Sequence, residues 1–274
     1  MPDAPAPEPA PDRSPAPAPE PAPDRSPAPD RSPAPARSAP SAAALAAARD
    51  NAGWCRALCR THGLPGEETA DAWTSPRRTP PYYPDAVTLR PGADPAALLA
   101  RIDHASPGCT VKDSFADLDL APAGFRVLFD AQWIHRPPGA PVPPAPADGA
   151  VWRAVRTAAG LEEWQRAWAA PDGPPDLFRP ALLDDPAVRV LAAHRGGRLV
   201  AGAVAHLGGA AAGVSNVFTA PDHPEPAWPG LLAVLAARRP TLAVVGYEHG
   251  GDLDGALRHG FRAAGPLRVW IRPD

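Results

Sequence analysis

Apolar and polar positions along the chain form two stretches with regular periods, each preceded by a segment dominated by proline. From Ser41, the run SAAALAAARDNAGWCRALCRTHG puts Leu45, Ala48, Trp54 and Leu58 on or near one helical face, and Gly63 supplies a stop. Residues 64–84 show no period and read as a loop ending in RRTPPYYP. DAVTLR at 85–90 alternates like a strand, Asp94 is placed to cap a short helix, and 110–117 and 124–135 read as two more strands. These elements predict a small α+β unit over residues 41–136. The proline-rich run RPPGAPVPPAPADG at 136–149 then reads as a linker.

The second stretch, 150–274, has a clear order. A strand at 150–156 precedes a helix at 159–169, whose Leu161, Trp164 and Trp168 share one face, and a helical turn at 178–183. Three apolar strands follow at 188–194, 199–207 and 213–219, joined by RGGR and GGAA turns suited to hairpins. Trp228, Leu231, Leu232 and Leu235 mark a helix with Pro229 in its first turn. A strand at 242–247, a helix capped by Asp252 and ended by Gly260, and a strand at 264–272 complete the order.

The order of elements and two local sequences resemble the GNAT superfamily of N-acyltransferases. LVAGAVAHLGGAAAGVSNVFTAPD is similar to that family's central hairpin running into its acyl-CoA-binding strand, and LDGALRHGF to the helix and Gly-Phe ending of its C-terminal half. The resemblance covers roughly the last 120 residues. It implies a mixed, mostly antiparallel sheet flanked by helices. It also implies acetyl-CoA as co-substrate, with the pantetheine arm on the backbone of Asn216, Val217, Phe218 and Thr219. The pyrophosphate would lie at the start of the next helix, near Gly230, where unpaired amides and the helix dipole favour an anion. Two positions depart from the family pattern. The usual glycine-rich phosphate loop is PDHPEPAWPG at 221–230, and the position of the family's acidic tyrosine is Ala256. Tyr247 and Glu248, at the end of the preceding strand, are the nearest substitutes as catalytic groups, with Glu248 as candidate base. A solvated turn is the other reading of Glu248, and packing that of Tyr247.

Composition narrows the classes. The net charge is −3 and no basic stripe occurs, which speaks against a nucleic-acid partner. No signal-like N-terminus or run of about 18 apolar residues is present, so a cytoplasmic protein with no membrane partner is expected. Three cysteines make no disulfide framework. Cys55, Cys59 and His62 share a helical face, as zinc ligands or, alternatively, as packing groups; Cys109 near Lys112, the sole lysine, is a weak candidate nucleophile. The PYYP run at 81–84 and Trp133 line a groove or seal an interface between the two stretches. Of the 42 prolines, many lie in residues 1–40, where PAPEPAPDRSPA occurs twice in tandem. That composition predicts a disordered, extended tail, serving as a spacer or as a ligand for a proline-recognition module. The chain thus reads as a GNAT-like N-acyltransferase acting on an amine of a small molecule or peptide, or as a GNAT-fold binding module without a CoA site.

Overall fold

A computed structural model describes residues 39–144, 149–169, 173–223 and 226–273. The proline repeat of the first 38 residues, part of the 136–149 run, and Pro224 and Glu225 lie outside the described residues. The elements follow one another as α1 (Ala42–Thr61), β1 (Glu67–Glu68), β2 (Ala72–Thr74), β3 (Ala86–Thr88), α2 (Pro95–Leu99), β4 (Thr110–Asp113), β5 (Arg126–Arg136) and β6 (Val151–Ala154). Then come α3 (Ala158–Trp168), β7 (Val188–Arg195), β8 (Arg198–His206), β9 (Ala211–Thr219), α4 (Ala227–Arg238), β10 (Ala243–Glu248), α5 (Gly250–Arg258) and β11 (Arg262–Ile271). Single 3₁₀ turns cover Ala121–Ala123 and Pro180–Asp184.

Among the described residues eleven strands form one sheet, in the order β1-β2-β3-β4-β11-β5-β10-β9-β8-β7-β6. Only β3–β4 and β9–β10 run parallel, each across a helical connection, as parallel neighbours require. The mixed, mostly antiparallel sheet flanked by helices is therefore present. The strand β5, from the first stretch of sequence, lies between β10 and β11 of the second and pairs with both. One compact unit spans Ala39–Asp274.

Local chemistry explains most element ends. The Ser41 hydroxyl accepts from the Ala44 amide and caps α1, and Asp94 caps α2 by accepting from Ala96. The β7–β8 hairpin turns at Gly196 and Gly197, both at positive φ, as a two-residue hairpin of right-handed twist demands. Two expectations change. Within the expected loop at 64–84, β1 and β2 extend the sheet; β2 is three residues, fully buried around Trp73, too short to display a period. Helix α5 begins at Gly250, with His249 at its cap position and no side-chain cap bond, so Asp252 sits in its first turn instead. There its charge still complements the helix dipole.

The two faces of the sheet carry different helices. On one, α1 and α3 bury Trp54, Leu58, Leu161 and Trp164 against β7 and β8, and α1 continues over Trp133, Val245 and Leu267. On the other, α4 and α5 bury Trp228, Leu231, Leu232 and Ala256 against Ala203, Val214 and Val244. A polar layer lies beneath α1. His206 Nδ1 and Asp50 Oδ1 are 2.9 Å apart and both side chains are nearly inaccessible. A Cβ on Gly213 would stand 1.5 Å from Asp50 Oδ2. Gly213→Ala is therefore expected to displace Asp50 from His206 and cost about 2–4 kcal/mol, measured by chemical denaturation. A loss under about 0.5 kcal/mol would show that the pair does not depend on this approach.

Candidate functional site

The parallel ladder between β9 and β10 stops early. Pairing runs from Ala211↔Ala243 to Gly213↔Val245, and both strands then continue without each other, β9 to Thr219 and β10 to Glu248. On its other side, β9 breaks register with β8. Gly202 pairs with Phe218 and Val204 with Ser215, so Asn216 and Val217 together oppose Ala203. This is a β-bulge, and Asn216 takes the left-handed backbone it needs, with φ 53°. Asparagine tolerates that conformation better than most residues. Bulge and early ladder end together splay the strands and free the β10-facing backbone of 216–219 from any strand partner.

A cavity of about 280 Å³ opens at this splay, lined on its polar side by Asn51, Lys112, Asn216, Tyr247, Glu248 and His249. Its apolar side is aromatic, with Trp54, Tyr82, Tyr83, Phe129 and Trp168. The structure thus brings Glu248, Tyr247, Asn216 and Val217 around one space. Consecutive residues on a strand face opposite sides. Tyr247 accordingly packs on the α1 side, edge-on to Trp133 with centroids 5.8 Å apart, while Glu248 lies toward α5. Phe218 turns away and packs edge-on against Trp164, so only its backbone bears on the splay.

Electrostatically, Glu248 stands out. Burial pushes its carboxyl up to about 7, and the nearby Asp252 adds in the same direction. A carboxylate at that value is half ionised near neutral pH, where a general base is most useful. The cysteines behave differently. All three are free and buried, and burial raises each thiol, Cys109 to about 12 with Asp85 adding to it. None is prepared as a nucleophile. His62 Nε2 lies 2.9 Å from the Leu177 carbonyl, and among the described residues no three His, Cys, Asp or Glu side chains cluster as metal ligands.

The sequence reading did not place Lys112 or Asn51 at this cavity. Lys112 Nζ donates to Asn51 Oδ1 at 2.8 Å and stands 4.1 Å from the Tyr247 ring centroid. It reaches there from β4, three places along the sheet from β10. Tyr83 lines the cavity from a buried position, whereas Tyr82 is 71% exposed and edge-on to Trp168. Tyr83 Oη and Asn216 Oδ1 are buried and neither meets full hydrogen-bond geometry, although the Asn216 side chain lies within hydrogen-bonding reach of the phenol. The one available signal was that Lys112 is the only lysine among 27 basic residues.

The far end of the site tests the fit of an acyl-CoA. A helix begins with four amides lacking internal partners. In α4 these belong to Pro226, Ala227, Trp228 and Pro229. Both prolines have no N–H, and the Ala227 amide already donates to Thr219 Oγ1 at 3.0 Å. Trp228 alone keeps a donor. Gly230 lies buried one residue further on, where a Cβ would stand 2.0 Å from Trp152 Nε1; its smallness serves packing between α4 and β6. In the preceding turn, Asp222 pairs with Arg198 at 2.7 Å. The splay leaves room for an extended arm such as pantetheine, while the helix start offers a pyrophosphate one amide instead of a cradle.

No protein-family model matches the sequence, and no curated protein matches it. Solved structures do. A GCN5-related N-acetyltransferase from Kribbella flavida is similar over 83% of this chain and 96% of its own, at 20% identity and a TM-score of 0.56. A protein assigned to the GNAT family from Novosphingobium aromaticivorans is similar over 83% and 99%, at 18% identity and 0.53. A conserved protein of unknown function from Staphylococcus epidermidis aligns over 62% and 74%, at 12% identity and 0.51. Coverage of 83% reaches well before Val151, so the likeness takes in much of the first stretch as well. The chain therefore has the fold of the GNAT N-acetyltransferases.

Proposed function

We propose that the protein is an N-acyltransferase that moves an acetyl group from acetyl-CoA to the amine of a small molecule or peptide. The observation that carries this reading is the coincidence of the β9–β10 splay with a half-buried Glu248 carboxyl, raised to about 7, at its mouth. When bound, acetyl-CoA supplies an electrophilic thioester carbonyl. The backbone of Asn216, Val217, Phe218 and Thr219 would hold its pantetheine arm, and the amides near Val217 and Phe218 would donate to the carbonyl oxygen. Glu248 takes the proton of the incoming amine. The new C–N bond to the amine would form as the thioester C–S bond breaks, and Tyr247 would return a proton to the departing sulfur.

A second reading, a binding module of the same fold without a CoA site, is favoured by the single amide left at the start of α4. Calorimetric titration separates the two. With no pyrophosphate cradle, acetyl-CoA and acetyl-phosphopantetheine are expected to bind within about tenfold of each other, a difference under about 1.4 kcal/mol. Absence of heat from either at millimolar concentration eliminates the transferase and leaves the binding module. Tighter binding of acetyl-CoA by a hundredfold or more would mean that phosphate donors are assembled elsewhere.

A further inference from the structure

We infer that the acceptor carries a carboxylate beside its amine and an apolar body, the chemistry of a free amino acid, and that Lys112 recognises the carboxylate. The inference rests on the transferase reading only for calling this ligand the acceptor. Lys112 is 4% exposed, and a buried ammonium is costly unless it is paired. Its Nζ has three donors, and the described residues take one, at Asn51 Oδ1, beside the face of Tyr247. The charged groups around it do not complete the set. Asp50 is engaged by His206 and held toward its neutral form by burial, and Glu248, on the same cavity, forms no ion pair with Lys112. Burial likewise keeps Cys55 a thiol.

The remaining polar atoms complement an amino acid. Burial holds Tyr83 a neutral phenol, a donor, while Asn216 Oδ1 is an unpartnered acceptor suited to an amine. Asn216 belongs to the bulge, so an amine held there stands beside the splay where acyl transfer would take place. Around these atoms the wall is aromatic, and about 280 Å³ holds one molecule of amino-acid size. Position agrees with this assignment. Lys112, Asn51 and Tyr83 all lie on the α1 side of the sheet, whereas α4, at whose start the pyrophosphate would lie, packs on the other face.

The test is equilibrium binding to the full chain, without CoA, of the common amino acids, their amides and the corresponding decarboxylated amines, with L-phenylalanine, L-phenylalaninamide and phenethylamine as one trio. At least one amino acid is expected to bind tenfold or more tighter than both its partners. Lys112→Met should bring that ratio to within about twofold of one, and Lys112→Arg should retain part of it, with circular dichroism checking that both fold. Equal binding within every trio, no binding at all, or a ratio unchanged in Lys112→Met overturns the inference. Acetyl transfer is followed separately: carboxylate-dependent binding without transfer leaves the ligand assignment standing and removes the transferase.

Discussion

Glu248→Gln is expected to lower kcat about 10²–10⁴-fold at pH 8, the range a positioned general base contributes, with little change in affinity for acetyl-CoA. In the unsubstituted protein kcat should fall below a limb near pH 7, where Glu248 takes up its proton; the variant should lack that limb. Stability moves the other way. The folded-state value of about 7 lies above the ordinary 4.5, so between them the native chain holds a proton that the unfolded chain has released. Stability from this group is present below about 4.5 and lost as pH rises toward 7. Above pH 7 the Gln variant should accordingly be the more stable, by on the order of 1–3 kcal/mol. Denaturation curves at pH 5 and pH 8 measure the difference. A variant with lower activity and no such gain would place Glu248 in solvent and remove its role as base. An identical pH limb in the variant would do the same.

The second large effect concerns the two stretches of sequence expressed apart. Residues 150–274 alone lack β5, and β10 and β11 then lose the strand that joins them. Trp133 and Ile134, both fully buried, leave with it. An open gap in the middle of a sheet exposes two unpaired edges and the apolar faces beside them. The fragment is expected to show no cooperative unfolding transition and to aggregate. Adding residues 39–144 in trans should restore a folded complex, seen as dispersed amide resonances and a 1:1 species in sedimentation. A monomeric fragment with a sharp transition would show that β10 and β11 can close on each other.

How much of this was legible beforehand depended on distance along the chain. The hairpin of β7 and β8 is written as two apolar runs with glycines at their turn, and α3 in the spacing of Leu161, Trp164 and Trp168. Asn216 stood out as a polar residue in an apolar strand, and Tyr247 and Glu248 by their place at a strand end beside the departure at Ala256. Lys112, Asn51 and Tyr83 could not be joined to them. Residues 51 and 112 are 61 positions apart and meet only through the curl of the sheet. The raised value of Glu248 also had no local signature, since it comes from burial between elements. At α4, proline and threonine were visible as letters, but only the structure shows that Thr219 occupies the Ala227 amide.

By itself, then, the sequence determined the local elements and the order of the second stretch, because periods, caps and turns act over a few residues. The tertiary structure decided which strands are neighbours, and with that everything long-range. It threaded β5 between β10 and β11, ended the β9–β10 ladder at Gly213, and moved a lysine from a distant strand to the wall of the site. Strand pairing is set by backbone hydrogen bonds that carry no residue identity, so such contacts are selected by packing of the whole chain and are not written at any one position.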